Sequence, residues 1–392
     1  MKTRIEKDAL GEVEIPYEAY YGIYTYRSKE SFQITKRGLS RQMIKSLATV
    51  KKACAKANCD AGLLTAKQTE VICLSCDEIL NGRLHGQFVT DLIQGGGGLS
   101  VNMNINEVVA NRANEMLGGE KGKYEFVEPI KHMNMNQSTN EVILTAGKIT
   151  TIRLVKKLIV EGKKLVSAFE TKAMEIAEKI NSVTPDEASK YRRLYDEFES
   201  FAFGLERALK RIESSTHSLY EIALGYTTNK GSDAEMIYMK KVVKHLKQVS
   251  GDNFVQSKSL LDATKNFESF VSVSSTLKGL MVNLAKTAND LRNLSSYVFS
   301  KPLISLPAIQ AATNSVYETN YPVVLDMVNQ VCFFVVGNDT IITLAAEGNE
   351  LDFNMYAPVL LSSLFESITY VRRAIRTLRE LGIEGIEIKW LK

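Results

Sequence analysis

Apolar residues recur every three or four positions over a long stretch that starts at Thr139, and Lys and Glu fill most positions between them. This spacing places the apolar side chains on one face of an α-helix and the charged side chains on the other. The pattern predicts one long helix with a single buried seam. The seam consists of Val155, Leu158, Leu165, Phe169, Ala173, Ile176 and Ile180.

Further long helices follow with the same period. One begins at Thr184 and Pro185, where Thr caps, Pro suits the first helical position and Glu187 completes a capping box. The pattern predicts three more: one from residue 267 to 291, one from Asn329 to about residue 350, and one after Pro358. Long helices with such seams pack as a bundle, and their broad apolar faces indicate that subunits share the core.

The first part of the chain has a different pattern. Its predicted helices are shorter, and glycine-rich loops at residues 95–98 and 118–119 interrupt them. The predicted fold class is therefore all-α. We predict a smaller N-terminal helical domain at residues 1–138 and a central long-helix bundle domain at residues 139–392.

Composition and charge exclude some classes of partner. Apolar residues make up 45% and charged residues 24%, as in an ordinary soluble protein. The net charge is only +4, and Lys often stands beside Glu on helical faces, so we expect no nucleic acid partner. No apolar run looks long enough to cross a bilayer, and the start of the chain has no signal-peptide core, so we expect no membrane partner.

The cysteines bear on compartment and on metals. An odd number, five, in a chain without an export signal predicts reduced thiols and a cytoplasmic location. Cys73 and Cys76 have the spacing of half a zinc site or of a redox pair. No second Cys/His cluster follows them, and they lie in a helical pattern. Buried structural cysteines are therefore the favoured interpretation, and no metal or cofactor is expected.

Polar residues mark the start of the long helix. Ser138 and Thr139 offer hydroxyl donors, and Asn140 offers an amide donor. The free N–H groups and the dipole of a helix start favour an anion, so this run is a candidate site for a small carboxylate ligand. The alternative interpretation is that Ser138 or Thr139 only caps the helix.

Several stretches carry motifs that together are specific. They lie at residues 3–8, 20–23, 94–98, 99–112, 132–140 and 328–347, and the stretch 132–140 reads His-Met-Asn-Met-Asn-Gln-Ser-Thr-Asn. Together they are similar to the aspartase/fumarase lyase superfamily, and in particular to its aspartase branch. The resemblance covers almost the whole chain. It implies a homotetramer with composite sites shared between subunits, and a reaction that removes a proton from the carbon beside a carboxylate.

The loop at residues 311–322 departs from that family. The family loop reads Gly-Ser-Ser-x-Met-Pro-Gly-Lys-x-Asn-Pro, and the resemblance implies that its second Ser is the catalytic base. An ungapped alignment puts Asn314 at that Ser, Thr319 at the Lys and Tyr321 at the Asn. A carboxamide cannot act as a base near neutral pH, and the nearby positive charge is lost. Ser315, one place away, is the candidate catalytic residue if the loop shifts register.

Two further departures concern the rest of the site. Where the family usually has a Thr that contacts a substrate carboxylate, this chain has Leu99. A hydrogen bond of roughly 1.5–3 kcal/mol is thereby lost. The chain also stops at Lys392, where family members continue into a small C-terminal domain, and a site without that domain would be wetter. The candidate substrate-binding residues that remain are Ser100, Asn102, Ser138, Thr139 and Asn140.

Three functions are compatible with these residues. The first is a divergent lyase that binds a carboxylate and has altered or lost elimination chemistry. The second is a non-catalytic subunit that binds a carboxylate or forms a hetero-oligomer with an active, homologous aspartase-like partner. Ordinary deamination of aspartate to fumarate is the least favoured, because base, Lys, Asn and Thr are all changed together.

Overall fold

The computed structural model describes residues 2–226, 232–296, 302–309 and 323–389. Within these ranges it has eleven α-helices and three two-stranded sheets, which confirms the predicted all-α class. The helices are α1 (Ile23–Ser31), α2 (Arg41–Asp60), α3 (Ala66–Leu80), α4 (Leu99–Met116), α5 (Thr139–Ile180), α6 (Pro185–Ser215), α7 (Asp233–Ser250), α8 (Leu260–Lys265), α9 (Glu268–Leu294), α10 (Val323–Glu347) and α11 (Ala357–Leu378).

The strands are short and pair locally. β1 (Thr3–Asp8) pairs antiparallel with β2 (Gly11–Pro16), β3 (Glu221–Ile222) pairs parallel with β4 (Val255–Gln256), and β5 (Ile304–Ser305) pairs antiparallel with β6 (Glu387–Ile388). The β1–β2 hairpin was not predicted from the sequence. Since the hairpin has only two strands, it leaves the fold class unchanged.

The long helices largely follow the predicted periodicity. Helix α5 runs for 42 residues from Thr139, and α6 begins at Pro185 as predicted. The Glu187 carboxylate accepts hydrogen bonds from the Thr184 N–H at 3.3 Å and from its hydroxyl at 2.8 Å, which confirms the capping box. Helix α10 begins at Val323, before the predicted Asn329, because the apolar period already starts there.

The chain folds into two compact units, each built from three separate segments. The first unit comprises Met1–Ile152, His217–Phe270 and Ile342–Ser362, and the second comprises Arg153–Thr216, Val271–Ile341 and Ser363–Lys392. These units follow spatial contacts, whereas the division into residues 1–138 and 139–392 follows the change in helix length along the chain. That division stays a prediction.

In the first unit, α2 packs against α3 and α7. The Tyr238 hydroxyl donates a hydrogen bond to Cys54 Sγ at 3.3 Å, and both side chains are buried. Cys76 is buried and Cys73 is half-buried, and burial raises the pKa of both free thiols. Across the described ranges, no three His, Cys, Asp or Glu side chains come together in a way that could hold a metal ion.

The motifs at residues 3–8 and 20–23 serve the packing of this unit. The Arg4 guanidinium donates to the Ala19 carbonyl at 2.7 Å, and Glu6 accepts from the Ile23 N–H at 2.9 Å. Glu107 of α4 accepts from the Gly22 N–H at 2.9 Å and from Thr25 Oγ1 at 2.6 Å. These contacts fix the start of α1, so this part of the family resemblance has a structural explanation.

The second unit combines an aromatic core with an apolar surface. The rings of Phe169 and Phe201 lie 5.6 Å apart, and Phe198 packs against both. On the part of α10 that belongs to this unit, by contrast, Phe333 is 71% exposed and Phe334 is 55% exposed. The sequence predicts no segment that could cross a bilayer, but α10 is long and apolar enough to do so by length and composition. Those two properties alone do not distinguish a membrane span from a helix that packs in a protein core.

Candidate functional site

The start of α5 is fixed by a reciprocal cap. Ser138 Oγ accepts a hydrogen bond from the Glu141 N–H at 3.2 Å, and Glu141 Oε1 accepts one from the Ser138 N–H at 2.7 Å. Ser138 therefore caps the helix, as the alternative interpretation of this motif predicted. A hydroxyl can accept one hydrogen bond and donate another, so the cap is compatible with Ser138 as a donor to a ligand.

Thr139 joins α5 to α4. Asn102 Nδ2 donates to Thr139 Oγ1 at 3.2 Å and to Asn134 Oδ1 at 2.9 Å. Asn134 belongs to the turn at residues 133–137, which we call the asparagine turn. The structure thus brings together two of the predicted site residues, Asn102 and Thr139, although 37 positions separate them in the chain.

A buried lysine contacts the asparagine turn from the protein interior. Lys51 of α2 is 1% exposed, and its Nζ donates to Gln137 Oε1 at 2.8 Å and to Asn134 Oδ1 at 3.3 Å. Burial disfavours the charged form and lowers the pKa of Lys51 to about 8. Nearby Cys54 and Glu141 oppose that shift.

Glu141 ties the same helix start to a second loop. Its Oε2 accepts hydrogen bonds from the Gly225 N–H at 2.7 Å and from the Tyr226 N–H at 2.9 Å. The side chain is fully buried. A buried carboxylate needs such donors, so the position of the α5 start and that of the loop at residues 223–226 depend on each other.

Asn140, like Asn102, is a predicted site residue whose amide already donates a hydrogen bond within the protein. Its Nδ2 donates to the backbone carbonyl of Asp352. Asp352 also accepts a hydrogen bond from the Tyr226 hydroxyl at 3.3 Å. A ligand that uses the Asn140 amide would compete with this loop contact.

The glycine-rich loop forms the start of α4. Gly98 has a φ of +91°, which favours glycine, and it precedes Leu99 in the first turn. A Cβ on Gly97 would lie 2.8 Å from the Phe353 carbonyl oxygen, so the two loops approach too closely for a side chain. Ser100 is buried, and Leu99 is 39% exposed. Leu99 therefore presents apolar surface at this helix start.

The altered loop lies outside the described residues. Asn314, Ser315, Thr319 and Tyr321 all belong to it. The structure thus describes five predicted site residues, Ser100, Asn102, Ser138, Thr139 and Asn140, and all five belong to the first unit. A helix start with hydroxyl donors and a lysine behind it suits an anion such as a carboxylate.

Comparison with known proteins shows the family. A family model described as "Lyase" matches residues 11–337, which is most of the chain. The chain belongs to this lyase family. The chain is also 42% identical over 387 residues to the aspartate ammonia-lyase of Bacillus subtilis, which covers 98% of this chain and 82% of that relative. This lyase-family chain is thus aspartate ammonia-lyase-like, which confirms the resemblance found in the sequence.

Solved structures agree with this assignment. The fumarate lyase:delta crystallin from Brucella melitensis in native form has a TM-score of 0.88 at 35% identity, and the match covers 99% of this chain and 89% of that one. A class II fumarase from Schistosoma mansoni has a TM-score of 0.88 at 21% identity and covers 99% of this chain and 85% of that one. The latter likeness concerns the fold alone.

Sequence reasoning missed the buried support of the site in this lyase-family chain. It did not single out Lys51, and it quoted Asn134 and Gln137 only as part of a motif. One signal was available: Lys51 follows Leu47 and Val50 and precedes Cys54 on the apolar face of α2. A charged residue on an apolar face is an unusual feature that points to a buried polar partner.

Proposed function

We propose that this lyase-family chain binds a small carboxylate at the start of α5 and that its elimination chemistry is altered or lost. One feature of the sequence carries the proposal: in the ungapped alignment with the family loop, a carboxamide, Asn314, stands at the position of the family's catalytic Ser. Thr319 and Tyr321 replace the Lys and Asn that help to hold the developing negative charge. The motif at residues 132–140 is retained.

The described contacts support the binding half of this proposal. The hydroxyls of Ser138 and Thr139 lie at a helix start, where backbone N–H groups and the dipole favour an anion. The Lys51 ammonium lies behind the adjacent asparagine turn. If elimination takes place, it makes the protein a carbon–nitrogen or related lyase, with Ser315 as the candidate base.

The reaction half is tested with the purified protein and L-aspartate, together with a panel of amino and hydroxy dicarboxylates. Ultraviolet absorbance reports any unsaturated product. We expect no fumarate from L-aspartate at the rate of an ordinary aspartate ammonia-lyase. Rapid fumarate formation would refute altered or lost elimination.

The binding half is tested by calorimetric titration with fumarate and succinate. We expect binding to the unaltered protein and at least tenfold weaker binding to Thr139→Val, which loses a hydroxyl but keeps its shape. Thr171→Val is the matched control, because Thr171 is exposed on the same helix and its hydroxyl donates to the Ser167 carbonyl at 2.8 Å. Equal affinities for the Thr139 and Thr171 variants would contradict the location of the site.

Assembly is the remaining part of the proposal. The exposed apolar residues of α10, Phe333, Phe334 and Leu344, favour contact with further subunits, and a homotetramer is our first proposal. The alternative is a hetero-oligomer with an active homologous subunit. Light scattering of the protein alone gives its subunit number. A monomer that becomes a stable oligomer only with an aspartase-like partner would favour the alternative.

The cysteines bear on location. All five are free thiols. Reduced thiols fit the cytoplasmic location that we propose.

A further inference from the structure

The strongest unexplained feature of the first unit is the buried ammonium of Lys51. Its two hydrogen-bond acceptors, Gln137 Oε1 and Asn134 Oδ1, are neutral amides. Moving an ammonium from water into a protein interior is costly, and neutral acceptors offset that cost less than a carboxylate contact does. Because burying this ammonium is unfavourable in free energy, we expect Lys51 to have a role that compensates for the cost.

One alternative role is to neutralise Glu141, which acts on Lys51 through space. The Glu141 carboxylate already accepts hydrogen bonds from the backbone N–H groups of Ser138, Gly225 and Tyr226. The Lys51 hydrogens reach the asparagine turn, so direct contact links Lys51 to this turn.

A second buried lysine offers a comparison. Lys148 of α5 is also buried, and burial lowers its pKa to about 8 as well. Its Nζ donates to the Glu221 carbonyl at 2.6 Å, which fastens α5 to β3. Burial of a lysine therefore does not by itself indicate a site, and what distinguishes Lys51 is its contact with the asparagine turn.

The asparagine turn leads directly to the candidate site. Asn134 Oδ1 accepts from Lys51 Nζ and from Asn102 Nδ2, and the same Asn102 amide donates to Thr139 Oγ1. Gln137, the other Lys51 partner, immediately precedes Ser138. A change at Lys51 therefore reaches both hydroxyls of the candidate site through at most two hydrogen-bonded side chains.

We propose that Lys51 is a positioning residue for the carboxylate site. Its ammonium holds the asparagine turn in place and adds positive potential behind the start of α5, so a carboxylate binds best while Lys51 is protonated. This inference rests on the proposed carboxylate binding. It adds to it a residue that the ligand does not touch and a dependence on pH.

The surroundings of Lys51 leave few other groups to titrate with it. The ionisable groups near it are Cys54 on α2, Cys76 on α3, Glu141 on α5, and Tyr238 on α7, which bonds to Cys54. Burial raises the pKa of Cys54 to about 12 and holds the pKa values of Cys76 and Tyr238 well above their usual ranges. These three groups therefore stay neutral while Lys51 loses its proton.

The test is calorimetric titration with fumarate between about pH 7 and about pH 9. With a Lys51 pKa of about 8, its protonated fraction falls about tenfold over that range. Because the neutral form should bind about tenfold more weakly, as Met at this position does, we expect the affinity to fall about fivefold. Lys51→Met should bind fumarate about tenfold more weakly at pH 7 and show no pH dependence. Lys148→Met should behave like the unaltered protein, because it removes a similar ammonium elsewhere.

The outcomes separate this inference from the proposed function. If the unaltered protein binds neither fumarate nor succinate, the proposed function and this inference both fail. If it binds and Lys51→Met keeps the same affinity and pH profile, only the role of Lys51 is refuted. If Lys51→Met does not fold, the pH dependence of fumarate affinity in the unaltered protein and in Lys148→Met tests the role of Lys51. An affinity that does not change with pH in either protein would refute that role.

Discussion

Two polar segments of this chain stand in different relations to the family pattern. The asparagine turn resembles the family motif, and its amides, with Gln137 buried and Asn134 half-buried, form a hydrogen-bond network with Lys51 and Asn102. In the ungapped alignment, the loop at residues 311–322 has Asn314, Thr319 and Tyr321 where the family loop has its catalytic Ser, its Lys and its Asn. Buried amides must be bonded for the fold to form, whatever the chemistry. A retained motif of this kind is therefore evidence for the scaffold, whereas the loop residues are the ones that bear on reaction.

The largest expected effect comes from restoring the loop. A variant with Asn314→Ser, Tyr317→Pro, Glu318→Gly, Thr319→Lys and Tyr321→Asn regains the family base and the nearby positive charge. We expect its rate of fumarate formation from L-aspartate to exceed that of the unaltered protein by at least about 100-fold, because a positioned general base contributes that much or more. Absorbance of the unsaturated product measures the rate.

The control for the restored loop is the same variant with Asn314 left in place. It keeps the new Lys and the new loop shape but lacks the base, so we expect no gain. Equal rates in the two variants would show that the base position does not separate this chain from an active lyase.

The next prediction concerns the asparagine turn and the buried ammonium of Lys51 that contacts it. The pKa of Lys51 is lowered from 10.5 to about 8 in the folded chain. Between these values the unfolded chain binds more protons than the folded one, so the free energy of unfolding rises with pH. The gain from this group is at most ~3 kcal/mol, and below about pH 8 its contribution is constant.

Urea unfolding at about pH 8 and about pH 10 measures this gain. Lys51→Met should lose the Lys51 part of the increase, while the part from Lys148 remains, because burial lowers its pKa similarly. Lys148→Met is the matched control and should lose a comparable part. An unchanged increase in Lys51→Met would mean that its ammonium is better solvated than its position implies.

Sequence reasoning predicted the parts of this fold that depend on local periodicity. The start of α5 at Thr139 and the Thr184–Glu187 cap of α6 follow from residues close together in the chain. The hydrogen bond of Asn140 to the Asp352 carbonyl could not be predicted in this way, because 212 positions separate the two residues. Whether a polar side chain is available to a ligand depends on such distant contacts. Residue types alone therefore predicted the candidate site, but they did not predict which of its donors already form hydrogen bonds within the protein.

The smallest expected effect concerns Leu99. It tests whether the start of α4 still faces the carboxylate, as in the family, although the residue type at this position differs. Leu99 is partly exposed in the first turn of α4, at the position where the family usually has a Thr. Leu99→Thr restores a hydroxyl donor, and we expect fumarate affinity to rise about tenfold, since a hydrogen bond to a carboxylate contributes ~1.5 kcal/mol or more.

Calorimetric titration against Leu99→Val isolates the hydroxyl, because Val has nearly the shape of Thr and no donor. A gain in Leu99→Thr alone would mean that the start of α4 still faces the carboxylate and that only the donor was lost. Equal affinities in both variants would place the ligand away from α4. The departure from the family would then extend beyond the loop at residues 311–322 into the binding half of the site.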